Sequence, residues 1–246
     1  MNEFLIIVPA FNEEGNMEFV IGKLKELNSP FDIVIVDDGS TDRTAKIARE
    51  CGSNVVSHPT NLGYASAIQT GFKYAEKKNY PYVIYFDGDG QHDPSNINDM
   101  MEAIKLENVD VVIGSRFLQD GDMKIGFGKM VAINFFQHII FLTTKNRITD
   151  PTSGFKAYKA NVYKKFTKSS EFFYDLPDSN FIIDILLREL TIMEIPVNMY
   201  NRQNGKSKIH HTGLKPLVYM AQTLLSILIV LIKKKNFFKI GGNKNE

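Results

Sequence analysis

The sequence predicts an α/β protein whose sheet is mostly parallel and covered by helices on both faces, followed by a separate apolar helix. Three observations carry that expectation. Strand and helix signals alternate along the first hundred residues, as they do when parallel strands are joined by helical crossovers. The strand signals run into carboxylates, amides and glycines, at the end of such sheets where ligands collect. Residues 217–232 carry no charge and are flanked by lysines on both sides.

The predicted strands cover residues 4–8, 32–36, 54–57, 82–86 and 109–113, each a short, mainly apolar run. Helical patterns fill residues 15–27, 42–51, 64–78 and 95–106 between them. Ser40-Thr41-Asp42 offers caps for a helix beginning near Arg43, and Asp93-Pro94-Ser95 does the same for the next one. After Gly114 the alternation fades into an apolar-rich helix at 128–143, a short strand at 155–158, a helix at 179–190 and a strand at 192–199. A polar, basic stretch follows at 201–215. The expected division is one large domain over residues 1–212 and a C-terminal apolar helix with a basic tail over 213–246.

Composition narrows the function classes. Lys and Arg total 29 against 28 Asp and Glu, so no bulk positive charge favours nucleic acid. The single cysteine, Cys51, excludes an internal disulfide framework and suits a reducing compartment. The N-terminus enters a strand without a basic segment or cleavage site, which argues against a secretory leader. The apolar stretch 217–232, as a helix at ~1.5 Å per residue, falls short of a ~30 Å hydrocarbon core. It therefore reads as a short membrane span, an interfacial helix with snorkelling lysines, or a buried core helix, and membrane association is the expectation.

Four strand ends carry candidate chemistry. The first strand runs into Pro9-Ala10-Phe11-Asn12-Glu13-Glu14, where proline stops the ladder and a helix N-terminus favours an anion. The acidic pair also suits a simple helix-start preference. The second strand ends in Asp37-Asp38-Gly39-Ser40, carboxylates placed to accept from a base or ribose, or to serve as turn residues. No Gly-x-Gly-x-x-Gly follows the first strand, which disfavours a nicotinamide enzyme. Asn61-Leu62-Gly63-Tyr64 feeds a helix of small residues and reads as structural, with Gly63 near a nucleotide. The fourth strand, Tyr82 to Phe86, ends in Asp87-Gly88-Asp89-Gly90-Gln91-His92. Two carboxylates one residue apart supply hard oxygen ligands for Mg²⁺ or Mn²⁺ holding phosphates. An EF-hand fails, because His92 stands where glycine is required and Asn98 where glutamate is. His92 reads as a supporting side chain, not a ligand.

Taken in order, Pro9-Ala10-Phe11-Asn12-Glu13, Val36-Asp37-Asp38-Gly39-Ser40-Thr41-Asp42, Asn61-Leu62-Gly63 and Asp87-Gly88-Asp89-Gly90-Gln91-His92-Asp93-Pro94 resemble glycosyltransferase family 2. Gly114-Ser115-Arg116, Asp150-Pro151-Thr152-Ser153-Gly154-Phe155 and Arg202-Gln203-Asn204-Gly205-Lys206-Ser207-Lys208 look like its dolichol-phosphate mannose synthase and polyprenyl-phosphate glycosyltransferase branch. The resemblance implies a GT-A, Rossmann-like fold and transfer of a sugar with inversion from a nucleotide diphosphate donor, such as GDP-mannose or a UDP-hexose. It implies Pro9, Asn12, Glu13 and Asp38 around the base and ribose, and Asp87 near the ribose or diphosphate. Asp89 and Gln91, with Asp87 beside them, would hold Mg²⁺ or Mn²⁺. Arg116, Lys129, Arg202 and Lys208 would grip the phosphate of a polyprenyl phosphate acceptor at the membrane surface. Lys129 stands where relatives often carry arginine, keeping the charge without the bidentate fork.

The catalytic candidates are therefore Asp89, Arg116 and Asp184. The last would act as a base if the acceptor were a sugar hydroxyl of a polysaccharide or glycolipid; a polar residue on an apolar helix is the plainer reading. A catalytically silent nucleotide-sugar-binding protein is the remaining alternative. The implied location is the membrane, with the catalytic domain on its cytoplasmic side.

Overall fold

A computed structural model of the chain describes residues 2–119, 126–168, 179–200 and 220–232. The elements run β1 (Phe4–Ala10), α1 (Glu14–Glu26), β2 (Phe31–Asp37), α2 (Thr44–Glu50), β3 (Asn54–Ser57), α3 (Tyr64–Lys77), β4 (Tyr82–Tyr85), α4 (Asn96–Lys105) and β5 (Val111–Ser115). The second half adds α5 (Phe127–Thr144), β6 (Lys156–Lys159), the short α6 (Ala160–Tyr163) with a 3₁₀ turn, α7 (Ser179–Leu187) and β7 (Ile192–Pro196). A further helix, α8, covers residues 220–232.

Among the described residues, seven strands form one sheet in the order β3-β2-β1-β4-β6-β5-β7. β1 sits inside it, paired in parallel with β2 and β4, and all seven of its residues are buried. That explains its continuous apolar sequence: a central parallel strand is covered on both faces. The faces alternate along it. Phe4, Ile6 and Val8 pack with α1, α2 and α4, while Leu5 and Ile7 pack with α3, α5, α6, α7 and α8. Burial of these two clusters supplies the main driving force for the fold.

β6 departs from the parallel rule. It inserts antiparallel between β4 and β5, with Lys156 opposite both Tyr85 and Ile113. The turn preceding β6 consequently lies at the same edge as the C-terminal ends of the parallel strands. Ala10, Asp37, Ser57, Tyr85, Ser115, Pro196 and the start of β6 all meet there.

On one side the C-terminal helix is a core helix, one of the readings offered for 217–232. Thr223, Ser226, Ile227 and Val230 of α8 are buried, and Ile227 and Val230 join the core cluster. Leu225, Leu228, Ile229 and Ile232 face outward. Among the described residues, no helix is long and apolar enough to cross a membrane. The proposed boundary at 212 falls outside the described residues.

Candidate active site

At the ends of β1 and β2 the chain stitches two loops together. The Asn12 amide donates to Ser40 Oγ (2.9 Å), and the Thr41 amide donates back to Asn12 Oδ1 (2.8 Å). The Glu13 amide donates to Thr44 Oγ1 (2.8 Å), while Glu13 Oε2 accepts from Asn16 (2.7 Å). Pro9 lies in register with Val36. The structure therefore brings Pro9, Asn12, Glu13 and Asp38 to one edge, as the motifs imply, with much of their polar capacity engaged in holding the loops. Asp37 is buried and accepts from the Ser40 amide (3.1 Å). Gly39 has φ +68°, and a Cβ there would run into the Thr60 backbone; the turn admits glycine alone without rearrangement.

Asp38 is 3 % exposed. Its Oδ1 accepts from the Leu62 amide (2.9 Å) and lies 2.7 Å from His58 Nδ1. Its Oδ2 accepts from the Gly63 amide (2.9 Å). The other imidazole nitrogen of His58 meets Thr70 Oγ1 at 2.8 Å. The geometry gives Asp38 a duty that the motif reading did not foresee, namely to hold the loop between β3 and α3. His58 was missed altogether; its place directly after β3, on the same strand-end edge, was the available signal.

The Asp-x-Asp pair follows β4. Asp87 Oδ1 accepts from the Tyr64 hydroxyl at 2.7 Å. Its side chain remains 22 % exposed, so it is held but reachable. On its other side stand Gly154, where a Cβ would overlap the carboxylate, and His92 Nε2 at 3.5 Å. The His92 ring is buried between Phe86 and Phe155. It is close enough to Asp87 for an ion pair but not aligned for a hydrogen bond. Asp89 Oδ1 accepts from the Gln91 amide (3.1 Å), and both residues are partly exposed.

Residues 198–200 lie alongside this loop. The Tyr200 amide donates to Gln91 O (2.7 Å), and the Tyr200 hydroxyl donates to Asp93 Oδ2 (2.9 Å). Burial raises the Asp93 pKa, but hydrogen bonds from Ser95 and Tyr200 outweigh it and leave the carboxyl below its ordinary range. Arg202 and Lys208 lie outside the described residues.

A divalent cation fits this arrangement chemically. Asp87 and Asp89 are hard carboxylate donors one residue apart on a half-open rim, while the Gln91 side-chain amide donates to Tyr200 O (3.3 Å). No group of three His, Cys, Asp or Glu residues able to enclose a metal occurs among the described residues. Two carboxylates completed by phosphate oxygens are the usual way Mg²⁺ is shared with a substrate.

Arg116 and Asp184 each already hold an ion-pair partner within the fold. Arg116 sits directly after β5 and closes on Asp150, with Nε and Nη2 each 2.6 Å from a carboxylate oxygen, and reaches Thr152 Oγ1 at 2.8 Å. Asp150 is fully buried. Burial raises its pKa, but the hydrogen bonds and charge of Arg116, with Lys156 behind them, outweigh this and hold the carboxyl below its ordinary value. Glu194 of β7 accepts from the Thr149 and Asp150 amides (2.7 and 2.9 Å), fixing the turn from below. Asp184, on α7, is 8 % exposed and accepts from Arg188 Nε one helical turn away (2.9 Å). Lys129 lies in the first turn of α5.

Comparison with known proteins agrees with this architecture. The model of the family described as Glycosyl transferase family 2 matches residues 5–167. The chain is 25 % identical over 235 residues to the polyprenol monophosphomannose synthase of Mycolicibacterium smegmatis, covering 87 % of this chain and 84 % of that one. It is 29 % identical over 210 residues to the UDP-N-acetylglucosamine–dolichyl-phosphate N-acetylglucosaminyltransferase of Methanococcus voltae, covering 78 % and 83 %. Among solved structures, glucosyl-3-phosphoglycerate synthase from Mycobacterium tuberculosis, in complex with Mn²⁺, UDP-glucose and phosphoglyceric acid, superposes with a TM-score of 0.69 at 18 % identity, over 93 % of this chain and 79 % of that one. That likeness establishes the shared fold.

Proposed function

This chain belongs to glycosyl transferase family 2, and from that premise we propose that it is a polyprenyl-phosphate glycosyltransferase: it moves a sugar, with inversion, from a nucleotide diphosphate sugar to a polyprenyl phosphate at the membrane surface. The observation that carries the reading is the Asp87–Asp89 pair, held on the rim where all the parallel strands end, in a chain whose relatives are named for transfer to polyprenyl phosphates. Asp87, Asp89 and Gln91 would hold Mg²⁺ or Mn²⁺, which neutralises the charge that builds on a departing diphosphate. A Mn²⁺ ion accompanies UDP-glucose in a neighbour of the same fold.

The chain's own residues divide the remaining work. The stitched loops at Asn12–Glu13 and Asp38–Thr41 form the wall against which base and ribose rest. The acceptor supplies an oxygen that is already largely anionic at neutral pH, given a second phosphate pKa near ~6. Attack therefore needs no general base, which suits an Asp184 already matched by Arg188. Cations from Lys129, Arg202 and Lys208 would grip the acceptor phosphate, and Arg116 braces the Asp150 turn. Donor identity stays between GDP-mannose and a UDP-hexose or its N-acetyl derivative.

Membrane contact is supported by two apolar faces. On α5, Val131, Phe135 and Leu142 are exposed at helical spacing; on α8, Leu225, Leu228, Ile229 and Ile232 are. Such faces dip into the headgroup–acyl boundary when basic residues flank them, as lysines 233–235 do here.

The test is to incubate membranes containing the protein with labelled nucleotide sugars, Mg²⁺ or Mn²⁺ and polyprenyl phosphate, with Asp89→Asn as control. Organic-phase label that needs both the lipid phosphate and Asp89 is expected, and it names the donor. Label appearing on a carbohydrate instead, and dependent on Asp184, would replace the reading with transfer to a hydroxyl.

A further inference from the structure

Asp38 and Asp87 close two different strands, β2 and β4, yet one short loop joins them. Asp38 fixes the Leu62 and Gly63 amides with its two carboxylate oxygens, at 2.9 Å each. Gly63, at φ +92°, turns the chain into α3. The next residue, Tyr64, lays its ring beside that of Tyr85, centroids 5.7 Å apart, and donates its hydroxyl to Asp87 Oδ1 at 2.7 Å. The opposite side of the Asp87 carboxylate is bounded by Gly154 and by the buried His92 ring. A carboxylate on a flexible side chain samples several rotamers; a hydrogen bond on one side and close neighbours on the other favour one of them.

We infer that Tyr64 is a positioning residue for Asp87: its hydroxyl sets the orientation in which that carboxylate meets the metal–diphosphate, and Asp38 sets Tyr64 through the loop. The inference rests on the proposed role of Asp87 at the metal and donor, and adds to it a residue to which the strand-end reading gave no chemical role. It also assigns Asp38 an action at a distance. Its charge holds a loop whose far end reaches the next strand-end carboxylate. Tyr64 acts through another residue, so its removal should change how tightly the cation is held while leaving the fold intact. The ring stays packed on Tyr85 when the hydroxyl alone is deleted, which makes phenylalanine the clean variant.

The experiment is a Mn²⁺ titration of the full chain followed by electron paramagnetic resonance of the free ion, run without nucleotide and then with UDP or GDP. Wild type is compared with Tyr64→Phe, Asp38→Asn and the double variant, alongside sugar transfer assays. Tyr64→Phe should weaken Mn²⁺ uptake about tenfold, the scale of one hydrogen bond to a charged group, and raise the Mn²⁺ concentration needed for half-maximal transfer by a similar factor. Its thermal midpoint should stay at the wild-type value. Asp38→Asn should reproduce the loss without nucleotide, and the double variant should add little, because the two act in series. Tyr64→Phe with wild-type Mn²⁺ uptake overturns the inference whether or not transfer is seen. Fully additive losses overturn the link through Asp38. Wild type taking up no Mn²⁺ in any condition overturns the metal reading of Asp87 itself, and the inference with it.

Discussion

Arg116 and Asp150 show how a single pair decides the shape of the site. Their bidentate contact, at 2.6 Å twice, is closed off from solvent and carries the turn that places Gly154 against Asp87. Removing one partner of a buried pair leaves an uncompensated charge, at a cost of about 3–5 kcal/mol. Asp150→Asn is therefore expected to destabilise the protein by that order, read from denaturant unfolding. The pH dependence follows from the same contact. The folded Asp150 carboxyl lies below its ordinary 3.8, so its stabilisation is present above that pH and is lost as pH falls through the folded value. Thermal midpoints recorded in acid should fall in wild type, and Asp150→Asn should fall less steeply from its lower start. Gly154→Ala tests the neighbouring contact. The new methyl meets the end of a mobile side chain, so Asp87 moves while the fold survives; transfer should drop at least tenfold, the scale of a displaced catalytic group, with little change in the thermal midpoint. Asp150 and Arg116 were both marked by motifs in the sequence, but their pairing was not, because they lie 34 residues apart.

At the scale of elements, α5 and α8 each divide into two faces. Phe136 and Ile140 of α5, and Ile227 and Val230 of α8, enter the core cluster, and Ile133 of α5 is buried. Their opposite faces present large apolar side chains to the surroundings. Substitutions should separate these roles. Leu228→Asn with Ile229→Asn is expected to reduce sedimentation with anionic phospholipid vesicles several-fold while leaving thermal stability near wild type, each buried CH₂ being worth ~0.8 kcal/mol to membrane association. Ile227→Ala is expected to cost about 2–5 kcal/mol of stability, as for other buried large-to-small changes, with vesicle binding retained by the folded protein. The uncharged run 217–232 announced an apolar helix; which of its side chains face inward depended on what packs against it. The helix is covered on one side by the core, an outcome that hydropathy does not encode.

For the whole molecule, the decisive feature is one rim shared by six parallel strand ends and the start of β6. Asp37, Asp38, Asp87, Asp89, Arg116 and the Asp150–Gly154 turn converge there from segments more than a hundred residues apart in total. A metal-assisted reaction at this rim is expected to stop on chelation with EDTA and to resume with added Mn²⁺. Asp89→Asn should lower transfer by about a hundredfold or more, the order seen when a charge-stabilising group is lost, without changing the far-ultraviolet circular dichroism. Persistence of full activity in EDTA would rule out the cation as a participant.

The amino-acid sequence by itself determined the alternation of short apolar strands with helices, and with it the parallel sheet and the position of acidic residues at strand ends. Those properties follow from period and from local turn chemistry, which act over a few residues. Tertiary structure alone decided that β6 enters antiparallel, that Asp38 is spent on a loop, that Tyr64 reaches Asp87 and that Arg116 is locked to Asp150. Each of these is a pairing between residues far apart in the chain, set by which segments the fold lays side by side. A motif can mark a carboxylate, but only the packed molecule determines which donors have already claimed it.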